Sequence, residues 1–191
     1  MNQKNLLEVD WSKIPAPTDD GAAKHLVGMA IPPLGLLATD DTSVRLSELP
    51  GRTVVFAYPR TGEPGKISLV DDWDMIPGAR GCTPQTCSFR DLFAELKAAG
   101  AKHVFGLSTQ DNVYQTEMAS RLHLPFPVLS DDGLALTRAL DLPTMQVAGL
   151  TLIKRLALIV DGGVIRHVFY PVFPPDRNAG DVLAWLKKNP V

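Results

Sequence analysis

The sequence predicts an α/β protein whose mixed central sheet is flanked by helices. Three observations predict it. Thr53-Val54-Val55-Phe56-Ala57-Tyr58 is a continuous, mostly apolar, β-branched run that stops at Pro59, as a buried central strand does. Segments with helical periodicity then alternate with short apolar runs. Two further apolar runs, Leu156 to Val160 and Val164 to Tyr170, meet at Asp161-Gly162-Gly163, the composition of a hairpin turn.

The elements follow in order. Residues 1 to about 25 are polar and carry Pro15, Pro17, Asp19, Asp20 and Gly21, so they read as a tail or a loosely docked arm ahead of a domain over 26–191. Leu34 to Ala38 and Val44 to Leu46 flank Asp40-Asp41 and suit a short hairpin. After the central strand, residues 60 to 81 form a Gly-, Pro- and Asp-rich loop. Loops beyond ~12–15 residues are uncommon and often functional. Within it, Trp73 reads as a loop anchor.

Pro84 to Ala99 is expected to be helical, because Phe89, Leu92, Phe93 and Leu96 recur at i, i+3, i+4 and i+7. Thr83-Pro84 is a start signal and Gly100 a stop. His103 to Leu107 reads as a strand, Asn112 to His123 as a helix, Pro127 to Leu129 as a strand and Leu134 to Leu140 as a helix. Asp181 to Lys188 is the last helix, ended by Asn189-Pro190.

Composition excludes several functions. The 191 residues make one domain or a domain with a tail, and 45% hydrophobic content supports a sizeable core. Lys plus Arg is 19 and Asp plus Glu is 21, a formal charge of −2, which argues against nucleic-acid or anionic-membrane binding through bulk charge. The amino terminus lacks an apolar segment behind a basic one, and no run approaches the ~20 apolar residues of a membrane span. A cytoplasmic protein is expected.

Only two cysteines occur, Cys82 and Cys87. They cannot build a disulfide scaffold, and four dispersed histidines leave no zinc-ligand pattern. His25, His103, His123 and His167 suit surface or strand-end positions, and Asp40-Asp41 and Asp131-Asp132 suit turns. A buried cysteine is often a small hydrophobe. Against that reading, the pair sits at a helix start, behind an apolar strand and after a long loop, and Cys82 is off the Phe89-Leu92-Phe93-Leu96 face.

A thiol reacts as its thiolate, and an ordinary thiol of pKa ~8.5 is only a few per cent ionised near pH 7. Lowering such a value to ~6 takes about 3.4 kcal/mol at 1.36 kcal/mol per unit. A helix terminus contributes at most ~2. A nearby cation is therefore required, and Arg80, Arg90 and Arg155 are the candidates. The spacing adds a constraint. Five residues along one helix separate Cα atoms by roughly 8–9 Å, whereas a disulfide needs about 4.4–6.8 Å. A Cys82–Cys87 bond therefore requires the first helical turn to open.

Tyr58-Pro59 followed by Gly81-Cys82-Thr83-Pro84-Gln85-Thr86-Cys87-Ser88-Phe89-Arg90-Asp91 resembles the active-site segment of peroxiredoxins of the bacterioferritin-comigratory, or peroxiredoxin Q, type. The likeness continues in Gly106-Leu107-Ser108, in Leu124 to Asp131 and in Ile153-Lys154-Arg155, and covers roughly residues 26 to 190. It implies a thioredoxin-like fold with an N-terminal extension. Cys82 matches the peroxidatic cysteine, Cys87 the resolving cysteine, Arg155 the arginine that donates to the thiolate and the peroxide, and Pro59 the proline that shields the nucleophile. The family spaces proline, threonine and cysteine closely. Here the loop separates Pro59 from Cys82, Ala79 stands at the threonine position, and Thr61 is the nearest threonine to Pro59. Pro77-Gly78-Ala79 offers a rival alignment.

The expected function is a thiol peroxidase acting on hydrogen peroxide or organic hydroperoxides. It needs no metal or cofactor, takes thioredoxin or a similar dithiol as reductant, and is monomeric or weakly dimeric. Two rivals are a binding protein switched by the Cys82–Cys87 disulfide, with the 60–81 loop as its surface, and a general dithiol oxidoreductase, whose usual C-x-x-C spacing is absent.

Overall fold

The computed structural model describes residues 9–191, so the first eight residues of the expected arm lie outside the described residues. Nine strands are described: β1 (Leu36–Ala38), β2 (Ser43–Val44), β3 (Arg52–Ala57), β4 (Ala101–Ser108), β5 (Val128–Ser130), β6 (Thr144–Val147), β7 (Leu150–Ile153), β8 (Leu156–Asp161) and β9 (Val164–Phe169). Seven of them form one sheet in the order β2-β1-β5-β4-β3-β8-β9, and β6 pairs with β7 in a separate ribbon. β3 lies parallel to β4 and antiparallel to β8, and all six of its residues are buried. The mixed sheet of the sequence reading is thus observed, with the apolar 53–58 run beside its centre.

Five helices cover the sheet: α1 (Cys82–Asp91), α2 (Phe93–Ala98), α3 (Asn112–Arg121), α4 (Ala135–Ala139) and α5 (Asn178–Lys188). The period-2 alternation of β3 divides the core between the two faces. Val54, Phe56 and Tyr58 pack beneath α1, α2, α3 and α5 with Cys82, Phe89, Met118 and Leu186. Val55 and Ala57 face Leu26, Leu36, Leu136 and Leu140, which belong to the pre-strand segment, β1, α4 and the residue that ends α4. The Phe56 and Phe89 rings stack with centroids 4.1 Å apart and fix α1 on the sheet.

Three expectations change. The helix foreseen over 84–99 begins earlier, at Cys82, and breaks at Leu92, whose φ of −99° and ψ of 11° separate α1 from α2. The β6–β7 ribbon was not foreseen. It gives the 60–81 loop a platform: Trp73 and Ala79 from the loop pack on Val147 and Leu152, with Ile76 and Met145 alongside. Trp73 is therefore an anchor, and the loop carries a small core of its own. Finally, the described part of the arm is fastened, not loose. Trp11 donates to Asp176 at 2.9 Å, and Asp20 accepts from Lys154 at 2.7 Å and from Tyr170 at 2.8 Å.

Candidate active site

Cys82 is the first residue of α1 and is 3% exposed. The local sequence explains the placement. Gly81 enters the helix with φ of +104°, a backbone conformation that suits glycine. Pro84 occupies the first turn, where a missing N–H costs no intrahelical bond. Gln85 N donates to Gly81 O at 3.0 Å and closes that turn. Cys87 lies in the same helix and is also buried. Both thiols therefore occupy one continuous helix, the geometry that keeps them beyond disulfide reach until the first turn opens.

Of the three candidate cations, Arg155 is the one on the thiol. It sits in the short link between β7 and β8, is 3% exposed, and its Nη2 lies 3.3 Å from Cys82 Sγ. The same nitrogen donates to the carbonyls of Gly78 at 3.2 Å, Ala79 at 3.2 Å and Arg80 at 3.1 Å. Nη1 donates to Gln85 Oε1 at 2.5 Å, and Gln85 Nε2 donates to Asn178 Oδ1 at 2.9 Å. The guanidinium thus holds the end of the inserted loop, the first turn of α1 and the thiol together. The contact places a buried positive charge beside the thiol. Arg155 Nε is buried with no hydrogen-bond partner among the described residues, so one donor on this side chain is uncommitted.

The other arginines point elsewhere. Arg80 pairs with Asp74 at 3.0 Å within the inserted loop. Arg90 pairs with Asp91 at 2.8 Å and donates to Leu122 O at 3.0 Å, bracing α1 against the end of α3. Burial pushes the Cys87 thiol up, with Arg90 pulling it the other way.

Pro59 is buried two residues past the last residue of β3, and its carbonyl accepts from Ser108 Oγ at 3.2 Å. Thr61 is 1% exposed, but the structure does not bring it to the thiol. Its N–H and hydroxyl both reach Gln110 Oε1, at 2.8 Å and 3.1 Å, and Gln110 Nε2 returns a bond to Thr61 O at 3.2 Å. The physical reason is this closed pair: the Gln110 amide takes up both donors of Thr61. At the other candidate position, Ala79 offers only its carbonyl, which lies 3.5 Å from Cys82 Sγ. Among the described residues no threonine hydroxyl bonds to Cys82 Sγ; Thr86 Oγ1 donates instead to the Cys82 carbonyl at 2.9 Å.

Sequence reasoning missed Gln85, Asn178 and the Gly78–Arg80 carbonyls. Gln85 carried a usable signal, since three residues after Cys82 on a helix is the neighbouring position on one face. Asn178 carried none, because only the packing of α5 on α1 brings it there. A cavity of about 210 Å³ lies beside the site, lined by Pro17, Asp20, Gly78, Lys154, Arg155 and Tyr170 among others, so the arm forms one of its walls.

Comparison with known proteins shows the family and the fold. The Redoxin family model matches residues 26–183. The chloroplastic peroxiredoxin Q of Gentiana triflora is 30% identical over 183 residues, which cover 92% of this chain and 76% of that protein. The chain belongs to the peroxiredoxin Q family. The chloroplastic peroxiredoxin Q of Oryza sativa subsp. japonica is 32% identical over 162 residues, or 84% of this chain. The chain spans 66% of that rice relative, just under two thirds of its length. Among solved structures, peroxidoxin BcpB from Mycobacterium tuberculosis superposes with a TM-score of 0.69 at 25% identity, covering 86% of this chain and 98% of that one. Xanthomonas campestris peroxiredoxin Q shares the fold, with a TM-score of 0.65 at 24% identity over 82% of this chain and 90% of that one. The thioredoxin-like fold expected from the resemblance is therefore observed.

Proposed function

We propose that this peroxiredoxin Q chain is a thiol peroxidase in which Cys82 is the nucleophile and Cys87 resolves it. The Cys82 thiolate attacks the terminal oxygen of a hydroperoxide. The O–O bond breaks, the alcohol or water leaves with a proton, and Cys82 becomes a sulfenic acid. Cys87 then attacks that sulfur and water leaves, giving a Cys82–Cys87 disulfide. A dithiol of the thioredoxin class returns two electrons by exchange. The observation that carries the reading is the buried Arg155 guanidinium on Cys82 Sγ at 3.3 Å. It sets a buried positive charge at the reacting sulfur, and its uncommitted Nε–H is a donor for a peroxide oxygen.

Hydrogen peroxide and organic hydroperoxides are both substrates in this reading, since the reacting group is the O–O bond. Pro59 shields the nucleophile from the β3 side. Thr61 acts only through Gln110, as part of the support beneath that proline. A cytoplasmic, reducing compartment suits a cycle that must regenerate two free thiols. The test is consumption of hydrogen peroxide coupled to a thioredoxin system. Cys82→Ser is expected to abolish it, and consumption at the wild-type rate in that variant overturns the assignment. Turnover also separates this reading from a disulfide-switched binding protein.

A further inference from the structure

The arm over residues 9–25 touches the active site at three places, and each contact falls on or beside a residue that holds Cys82. Trp11 packs on Gly81, the residue before Cys82. A Cβ built on Gly81 would lie 2.7 Å from Trp11 Cη2 and 2.6 Å from Pro175 Cγ, so Gly81 is sandwiched between the arm and the segment leading into α5. Pro17 lies on Gly78, with its Cβ 3.6 Å from a Cβ built there, and Gly78 O accepts from Arg155. Asp20 joins Lys154, the residue before Arg155, to Tyr170. Trp11 is itself held by its N–H on Asp176 at 2.9 Å and by an edge contact with Phe173, centroids 6.0 Å apart.

Disulfide formation requires the first turn of α1 to unwind, and the residue that leads into that turn, Gly81, is the one held in the Trp11–Pro175 sandwich. We propose that Trp11 is a positioning residue: the arm is a strap that holds the start of α1 in its closed, dithiol form and is released when Cys82 bonds to Cys87. This rests on Cys82 and Cys87 being the redox pair, as in the function proposed above. The strap opposes resolution. It therefore sets the partition of the Cys82 sulfenic acid between two fates. One is attack by Cys87, with loss of water. The other is a second hydroperoxide, which oxidises it to the sulfinic acid and is itself reduced to alcohol or water.

The test uses the full chain equilibrated in a dithiothreitol redox buffer, with no peroxide present, so it is read independently of peroxidase activity. Trp11→Ala is expected to shift the dithiol–disulfide equilibrium about tenfold toward the disulfide, a potential ~30 mV more negative. Diamide should also close its disulfide faster. Trp11→Phe, which keeps an aromatic ring against Gly81 and Phe173, should fall closer to wild type. An equilibrium within twofold of wild type in Trp11→Ala overturns the strap. Should that variant fail to fold, amide hydrogen exchange on the wild-type protein decides. Residues 11–20 and 82–86 should lose protection together on going from dithiol to disulfide, and an arm that stays protected in the disulfide form overturns the proposal. If the strap behaves as expected but peroxide is not consumed, the peroxidase reading alone fails.

Discussion

Arg155 Nη2 stands 3.3 Å from Cys82 Sγ while donating to three consecutive carbonyls, those of Gly78, Ala79 and Arg80. One buried cation therefore serves two ends. It offsets the charge of a thiolate, and it ties the inserted loop to the helix that carries the thiol. A thiolate buried without it would be an unpaired charge in a low-dielectric site.

Arg155→Met should slow the first step, the loss of the Cys82 thiol on mixing with hydrogen peroxide, by on the order of 10²-fold or more. Arg155→Lys should recover only part of this, because an ammonium cannot donate at once to Gln85, the carbonyls and the sulfur. Stopped-flow single-turnover kinetics check both. A rate for Arg155→Met within threefold of wild type would remove the guanidinium from the chemistry.

Cys87→Ser should still react once with peroxide, since the nucleophile and its arginine are untouched. It should then stall. Intact-mass analysis after excess peroxide is expected to show the Cys82 sulfinic acid at 32 Da above the thiol (two added oxygens), at peroxide levels where the wild type shows a disulfide. A variant that turned over repeatedly with thioredoxin would contradict Cys87 as the resolving thiol.

The sequence was informative where local chemistry sets structure. The 53–58 run, the hairpin at Asp161-Gly162-Gly163 and the helix around Phe89 follow from periodicity and turn residues, and the structure contains all three. The two thiols and the need for a cation were legible in the same way. Which arginine answers that need was not readable from spacing, because Arg155 arrives through the β7–β8 link, 73 residues away. The β6–β7 ribbon escaped because its stability comes from the Trp73 loop packed on it, a tertiary effect. The arm read as loose because its composition is polar. Its fastenings, Trp11 on Asp176 and Asp20 on Lys154, join residues more than 130 positions apart.

Thr61 tests the geometry of the inserted loop. Thr61→Val removes a hydroxyl that donates to Gln110 at 3.1 Å, leaving the Thr61 backbone donor at 2.8 Å in place. The expected cost is about 1 kcal/mol of stability in urea denaturation, with the rate of Cys82 oxidation within about threefold of wild type. A loss of 10²-fold in that rate, with stability intact, would place the hydroxyl on the reacting atoms.

The resolution step should depend on pH through Cys87. Burial pushes its thiol up, so at neutral pH the closed helix holds it protonated. Attack on the sulfenic acid needs the thiolate. The rate of disulfide formation is therefore expected to climb as pH rises through about 8.5, the ordinary thiol value, and to keep climbing above it. The linked stability has the opposite sense. Folding favours the neutral thiol, so the contribution is fully present below about pH 8.5 and is lost as pH rises. Quench-flow between pH 6 and 10 reads the first, and denaturation of Cys82→Ser over the same range reads the second. A resolution rate flat across that range would contradict the buried thiol as attacker.

The division of labour between the two cysteines is tested most directly by trapping. Wild-type protein treated with less than one equivalent of hydrogen peroxide in the presence of dimedone, then digested and mapped by mass spectrometry, should carry the adduct on Cys82 and not on Cys87. Omitting dimedone should replace the adduct with a Cys82–Cys87 crosslink. An adduct on Cys87, with Cys82 still a free thiol, would contradict the assignment of Cys82 as the nucleophile that Arg155 activates.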